Sequence, residues 1–229
     1  MELVAIDLDG TLVDSVKDLH QAVNTMQAAL SRHISDEDDV RHWVGNGIER
    51  LVHRALTGDM LQNADAVLFE HAMVIFRQAY ANVNGHYSSL YPGVRQGLEW
   101  MASLGVPMVM VTNKASAFSR PLLKHLAIDK YFAHQIGGDD VTAKKPSAEP
   151  LLLAASLCSA TPQRSLLIGD SIADFQAARA AGFACIGVSY GYNHGRAVRS
   201  LDSNLAPDAV IDSFLELPAQ FARLQRGWV

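Results

Sequence analysis

With 229 residues, 49% of them hydrophobic and 19% charged, the chain has the size and composition of a globular protein of one large or two modest domains, with ample apolar residues for a core. A net charge of −5 without any run of Lys or Arg excludes an electrostatic footprint for nucleic acid or for an anionic membrane, so any phosphate is bound locally. The two cysteines, Cys158 and Cys185, each sit in an apolar segment; they make neither a disulfide framework nor a metal site and fit a reducing compartment. No apolar run approaches membrane-spanning length, and a first strand starting at residue 2 or 3 leaves no room for a signal peptide, so the expected location is cytoplasmic.

Leu3 to Ile6 is a short apolar run that reads as a buried strand, and it carries two carboxylates, Asp7 and Asp9, at its end. Gly10 lets the chain turn sharply there. Two anions so close repel each other unless a cation is shared, and a hard divalent ion with oxygen ligands, Mg²⁺ in particular, meets that need. By itself the stretch reads equally well as a strand end with acidic turn residues. Ser15 with Asp18 three residues on resembles a capping box and predicts a helix over 16–30. Helical periodicity continues over 37–43, 48–56 and 64–81, with no convincing strand between. Residues 16–87 are therefore expected to form a helical unit inserted into an α/β unit made of 1–15 and 88–229.

From Tyr91 the pattern alternates between helix and buried strand. Helices are predicted to 104 and over 115–126, 148–157 and 172–181, and strands over 106–111, 135–137, 166–168, 184–188 and 209–211. Such alternation argues for a parallel sheet covered on both faces, with ligands at the carboxyl ends of its strands. One strand ends in Thr112-Asn113 just before a helix, which is either an anion site or a helix cap. A loop carries Lys144-Lys145-Pro146, where a lysine could set a point charge against a phosphoryl group or simply be solvated. Another strand delivers Asp170, with Asp174 in the first turn of the next helix; Asp170 could complete the oxygen shell of a divalent ion, and Asp174 could support it or merely complement the helix dipole.

Together, DLDGT at Asp7 to Thr11, VTN at Val111 to Asn113, KP at Lys145-Pro146 and GDSIAD at Gly169 to Asp174 resemble, in order and spacing, the four motifs of the haloacid dehalogenase superfamily. The resemblance covers essentially the whole chain. It implies a Rossmann-like parallel-sheet α/β core with residues 16–87 as an inserted helical cap. The phrases GGDDVTAKKP, GDSIADFQAARAAG and GVSYGYNHG, with VGNGIERLVHRAL in the helical part, are similar to the bacterial phosphoglycolate phosphatase family.

The resemblance assigns roles to individual residues. Asp7 would attack phosphorus and form an aspartyl-phosphate, and Asp9 would act as acid and then base. Mg²⁺ would be held by the Asp7 side chain, the Asp9 carbonyl and Asp170, with Asp174 supporting. Thr112, Asn113 and Lys145 would bind the phosphoryl oxygens. Asp9 argues against dehalogenation, since halide needs no general acid. Selectivity would come from the cap, with Arg41, His42 and the Gly45-Asn46-Gly47 turn as candidates beside their reading as an ordinary helix-to-helix turn. The expected function is Mg²⁺-dependent hydrolysis of a small phosphorylated metabolite, 2-phosphoglycolate first, by a monomer or small homo-oligomer. A phosphatase or phosphomutase acting on a sugar phosphate, and a non-enzymatic phosphometabolite-binding protein, are the alternatives.

Overall fold

A computed structural model describes residues 1–225. The first strand, β1, is Leu3–Ile6; β2 follows at Val13–Asp14. Four helices come next: α1 Val16–Ala29, α2 Glu37–Trp43, α3 Ile48–Thr57 and α4 Ala66–Val83. The chain then returns through β3 Ser89–Leu90. From there helix and strand alternate: α5 Val94–Ser103, β4 Met108–Val111, α6 Ser116–His125, β5 His134–Ile136, α7 Glu149–Leu157 and β6 Ser165–Gly169. The last elements are α8 Ile172–Ala181, β7 Ala184–Val188, β8 Ala209–Ile211 and α9 Leu217–Gln225.

Six strands form one sheet in the order β5-β4-β1-β6-β7-β8, and every pairing in it is parallel. β1 lies in the interior of this sheet, paired on both edges, as its wholly buried apolar sequence requires. Successive residues of one strand enter opposite cores. Val4 and Ile6 pack with Leu98, Met101 and Phe214 on one face; Leu3 and Ala5 pack with Leu151, Phe175 and Ala178 on the other. A sheet with two such faces is the fold class that the alternating pattern predicts.

The four helices α1 to α4 close a third apolar cluster of their own, built on Leu19, Val23, Met26, Leu51, Phe76 and Tyr80. Phe118 of α6 and Tyr192 join this cluster from the α/β side. The chain leaves for the helices through β2 and comes back through β3, which pair antiparallel with Val13 opposite Leu90 and Asp14 opposite Ser89.

Asp18 joins the two passages. Its carboxylate accepts from the backbone of Gly85 at 2.8 Å, Tyr87 at 2.8 Å and Ser88 at 3.2 Å, and from the Ser88 hydroxyl. This corrects the expected capping box at Ser15: neither side chain caps α1. The Tyr192 hydroxyl instead accepts from Ser15 N at 2.8 Å and Val16 N at 3.1 Å, while Ser15 Oγ donates to Asp9. A hydroxyl 177 residues away in sequence satisfies the first-turn amides, which frees both local side chains for other partners. Smaller shifts have local causes. α4 starts at Ala66 rather than at 64 because Asp65 caps it, accepting from Leu68 N at 3.0 Å. β4 starts at Met108, after Pro107, whose nitrogen has no proton to give a ladder.

Candidate active site

The carboxyl ends of β1, β4 and β6 converge, as strand polarity in a parallel sheet dictates, and bring together side chains from distant stretches of sequence. Asp7 follows β1 and is 8% exposed; Asp170 follows β6 and is 3% exposed. Asp174, on the first turn of α8, has no exposure at all. Carboxylate oxygens of Asp7, Asp170 and Asp174 lie within 4.8 Å of one another.

One lysine is shared among them. Lys145 Nζ lies 2.8 Å from Asp7 Oδ1 and 2.6 Å from Asp174 Oδ1, and it donates to the Val111 carbonyl at 2.8 Å. All three ammonium protons are therefore engaged. Burial alone would lower this lysine's pKa; Asp174 and then Asp7 overcome it and hold the group firmly charged. Asp174 also accepts from Ser171 N at 3.1 Å and Ser171 Oγ at 2.7 Å, a capping box that fixes its rotamer. It serves the cluster from behind, through Lys145.

Asp170 is the carboxylate with least compensation. It accepts from Thr11 Oγ1 at 3.1 Å and Tyr192 N at 2.8 Å, and burial, reinforced by Asp174 and Asp7, pushes its pKa well above the usual carboxylate range. Burial likewise raises Asp7 to about 7, with Lys145 pulling against it. Two dry carboxylates short of positive charge, presenting oxygen ligands only, fit a hard divalent cation. The space is kept open by glycine. A Cβ on Gly10, which has φ of 86°, would sit 2.5 Å from Asp170 Oδ2, and one on Gly191 would press on the same side chain. These residues can hold a metal ion.

Asp9 faces a different set of partners. Its Oδ1 accepts from Ser15 Oγ at 2.5 Å and Lys114 Nζ at 2.9 Å, and Oδ2 lies 3.2 Å from the same ammonium. Lys114 Nζ also contacts the hydroxyl of Tyr80 on α4. Lys114 gave no signal beyond its place after Thr112-Asn113, because a lysine following a strand end is ordinarily solvated. Only its depth, 4% exposed, marks it out.

Thr112 is buried and accepts from Lys114 N at 3.2 Å. The Asn113 amide group donates to the Lys145 carbonyl at 3.0 Å and the Gly45 carbonyl at 3.1 Å, tying the lysine loop and the α2–α3 turn to the same strand end. Lys144 turns away from the carboxylates and pairs with Glu49 of α3 at 3.0 Å. The choice between the adjacent lysines is thus made by packing.

A cavity of about 40 Å³ lies above the carboxylates. Asp7, Asp9, Thr112, Asn113 and Lys114 line its floor; Leu19, Val44, Gly45, Gly47, Ile48 and Leu51 line its helical side. Of the residues expected to supply selectivity, only the glycines of the turn reach it. Arg41 pairs with Glu37 at 2.9 Å and Asp14 at 3.7 Å and lies over the Tyr192 ring. His42 packs against the Gly195 loop, its carbonyl meeting His194 Nδ1 at 2.8 Å. Asn46 accepts from buried Arg54, which also donates to the Trp43 carbonyl and so holds the turn.

A haloacid dehalogenase-like hydrolase profile matches residues 1–182. A phosphoglycolate phosphatase of Nitrosococcus oceani is 48% identical over 216 residues, covering 94% of both chains. One of Pseudomonas putida is 45% identical over 207 residues, covering 90% of this chain and 76% of its own. A Haemophilus somnus crystal structure, described as a predicted phosphoglycolate phosphatase, superposes with a TM-score of 0.88 at 29% identity over 96% of this chain and 98% of its own. The profile spans Asp7, Lys145 and Asp170, and the chain belongs to the haloacid dehalogenase-like hydrolases.

Proposed function

We propose that this chain is an Mg²⁺-dependent phosphomonoesterase that works through an aspartyl-phosphate on Asp7, with 2-phosphoglycolate as its substrate and the helices of residues 16–87 as a cap over the site. The observation that carries the reading is the buried Asp7–Lys145–Asp174 chain beside Asp170, with Asp9 facing the same cavity. Asp7 Oδ attacks phosphorus while Asp9 protonates the departing alkoxide oxygen, so the P–O bond to glycolate breaks as the bond to Asp7 forms. Water then attacks the aspartyl-phosphate; Asp9 takes its proton, and Asp7 leaves as a carboxylate with release of inorganic phosphate. Lys145, Thr112 and the Asn113 backbone stabilise the charge spread over the equatorial oxygens. Asp7, Asp170 and the Asp9 carbonyl would hold Mg²⁺, which would supply the positive charge that the raised carboxylate pKa values call for and offset charge on the phosphoryl group. Asp174 holds Lys145 in place.

The substrate would lie between the polar floor of the cavity, Asp7, Asp9, Thr112, Asn113 and Lys114, and its apolar helical side, Leu19, Val44, Ile48 and Leu51. The names of the N. oceani and P. putida relatives support 2-phosphoglycolate as that substrate.

The test is phosphate release from 2-phosphoglycolate, sugar phosphates and nucleotides, with Mg²⁺ and with a chelator. Turnover is expected to need the metal and to favour 2-phosphoglycolate, and Asp7→Asn to remove on the order of 10³-fold or more of it. Release of phosphate at the wild-type rate by Asp7→Asn ends the nucleophile assignment; no turnover on any substrate moves the binding-protein reading to first place.

A further inference from the structure

Both carboxylate oxygens of Asp9 are met by donors, and the arrangement that meets them spans the two parts of the fold. Ser15 Oγ reaches Oδ1 from the passage into the helices, and Lys114 Nζ reaches Oδ1 at 2.9 Å and Oδ2 at 3.2 Å from the end of β4. Lys114 in turn is held from above. The hydroxyl of Tyr80, on α4, contacts its Nζ, and the ammonium lies 4.9 Å from the Tyr80 ring centroid. Tyr80 is fully buried between Phe76 of its own helix and Phe118 of α6, with ring centroids at 5.7 and 4.8 Å. A lysine with free choice of rotamer would swing to solvent; this one is sealed in place by a residue of the helical part.

We propose that Lys114, fixed by Tyr80, is the positioning residue for Asp9 in the second half of the reaction, holding its carboxylate as the acceptor of the water proton while the P–O bond to Asp7 breaks. The proposal rests on the assignment of Asp7 as nucleophile and Asp9 as acid and base. With the helices seated on the core, Tyr80 pins Lys114 and Lys114 pins Asp9; with the helices displaced, the same ammonium loses its upper anchor. Hydrolysis of the intermediate thereby becomes contingent on the helical part being in place.

Acetyl phosphate separates the two half-reactions, because acetate departs without being protonated and the first step then runs without help from Asp9. With this donor, Lys114→Met and Tyr80→Phe are expected to keep kcat/KM within about threefold of wild type while kcat falls roughly 10-fold or more, and to accumulate phospho-Asp7, read by intact-protein mass after acid quench. Lys114→Arg is expected to recover part of kcat. Asp9→Asn is expected to trap the phosphoenzyme under the same conditions. Tyr80→Phe keeps the ring packing and carries the test if Lys114→Met fails to fold. A trapped intermediate in Asp9→Asn with none in Lys114→Met or Tyr80→Phe overturns the positioning role and leaves the assignment of Asp9 standing. A raised KM at unchanged kcat, or an equal fall in kcat and kcat/KM, overturns it too, the first by making Lys114 a substrate ligand. Absence of phosphoenzyme in folded Asp9→Asn overturns the proposal together with the reading beneath it.

Discussion

Asp7 keeps its proton in the folded, metal-free chain until the pH reaches about 7, whereas its ordinary value is 3.8. Between those limits the folded state binds more protons than the unfolded one, so folding stability falls as pH rises through the window. Asp170 acts in the same direction. A divalent cation bound between the two carboxylates displaces those protons and removes the penalty, which gives metal binding a signed pH dependence. The rise in melting temperature on adding Mg²⁺ is expected to be larger above a pH of about 7 than near a pH of about 5, by scanning fluorimetry. An equal rise at both would show that the metal does not sit on these carboxylates. At this scale the sequence was informative where chemistry and strand register coincide, as at Asp7, Asp9 and Asp170. It said nothing of Lys114, whose meaning comes from depth, or of Arg54, which a helical periodicity would leave on any face.

Among the elements, the crossing between helices and sheet depends on a few side chains that look unremarkable in sequence. Asp18 reads as the fourth residue of a capping motif, yet its carboxylate takes four donors from residues 85–88, nearly seventy positions away. Removing it leaves the backbone amides of the buried residues Gly85 and Ser88 without their acceptor. Asp18→Ala is expected to cost roughly 2–4 kcal/mol in urea unfolding, with Asp18→Asn intermediate. A loss within about 0.5 kcal/mol for Asp18→Ala would mean that the β2–β3 passage is held by other contacts. Tyr192 has the complementary role. Its backbone N–H serves Asp170 and its hydroxyl serves the start of α1, so one residue of the loop after β7 links the carboxylate cluster to the entry of the helices.

The molecule as a whole closes its cavity with mixed contacts between the helices and the strand-end loops. Asn113 reaches the Gly45 carbonyl, His194 meets the carbonyl of His42, and Lys144 pairs with Glu49, which Arg77 also approaches at 3.8 Å. The Lys144–Glu49 pair is one-third to nearly one-half exposed, so its worth is limited to about 1 kcal/mol and is screened by salt. Glu49→Gln is therefore expected to change KM for 2-phosphoglycolate less than about fivefold and to flatten its dependence on ionic strength. A larger loss would mean that the pair carries more of the closure than its exposure allows, and an unchanged salt profile would move the closing force to the apolar contacts of Val44, Ile48 and Leu51.

The sequence by itself determined the positions of the sheet's strands and the motif order, because buried parallel strands must be continuous apolar runs and such sheets take ligands at the carboxyl ends of their strands. It also set the helical composition of residues 16–83, since a period of 3.6 is a local property. Tertiary structure alone decided that Lys144 turns to Glu49, why Arg41 faces Asp14 and Tyr192 and not the cavity, and that Tyr80 and Lys114 meet at Asp9. Each of these is a choice between solvent and a distant partner. Such choices depend on desolvation and on donors brought from elsewhere in the chain, and neither is written in the neighbouring residues.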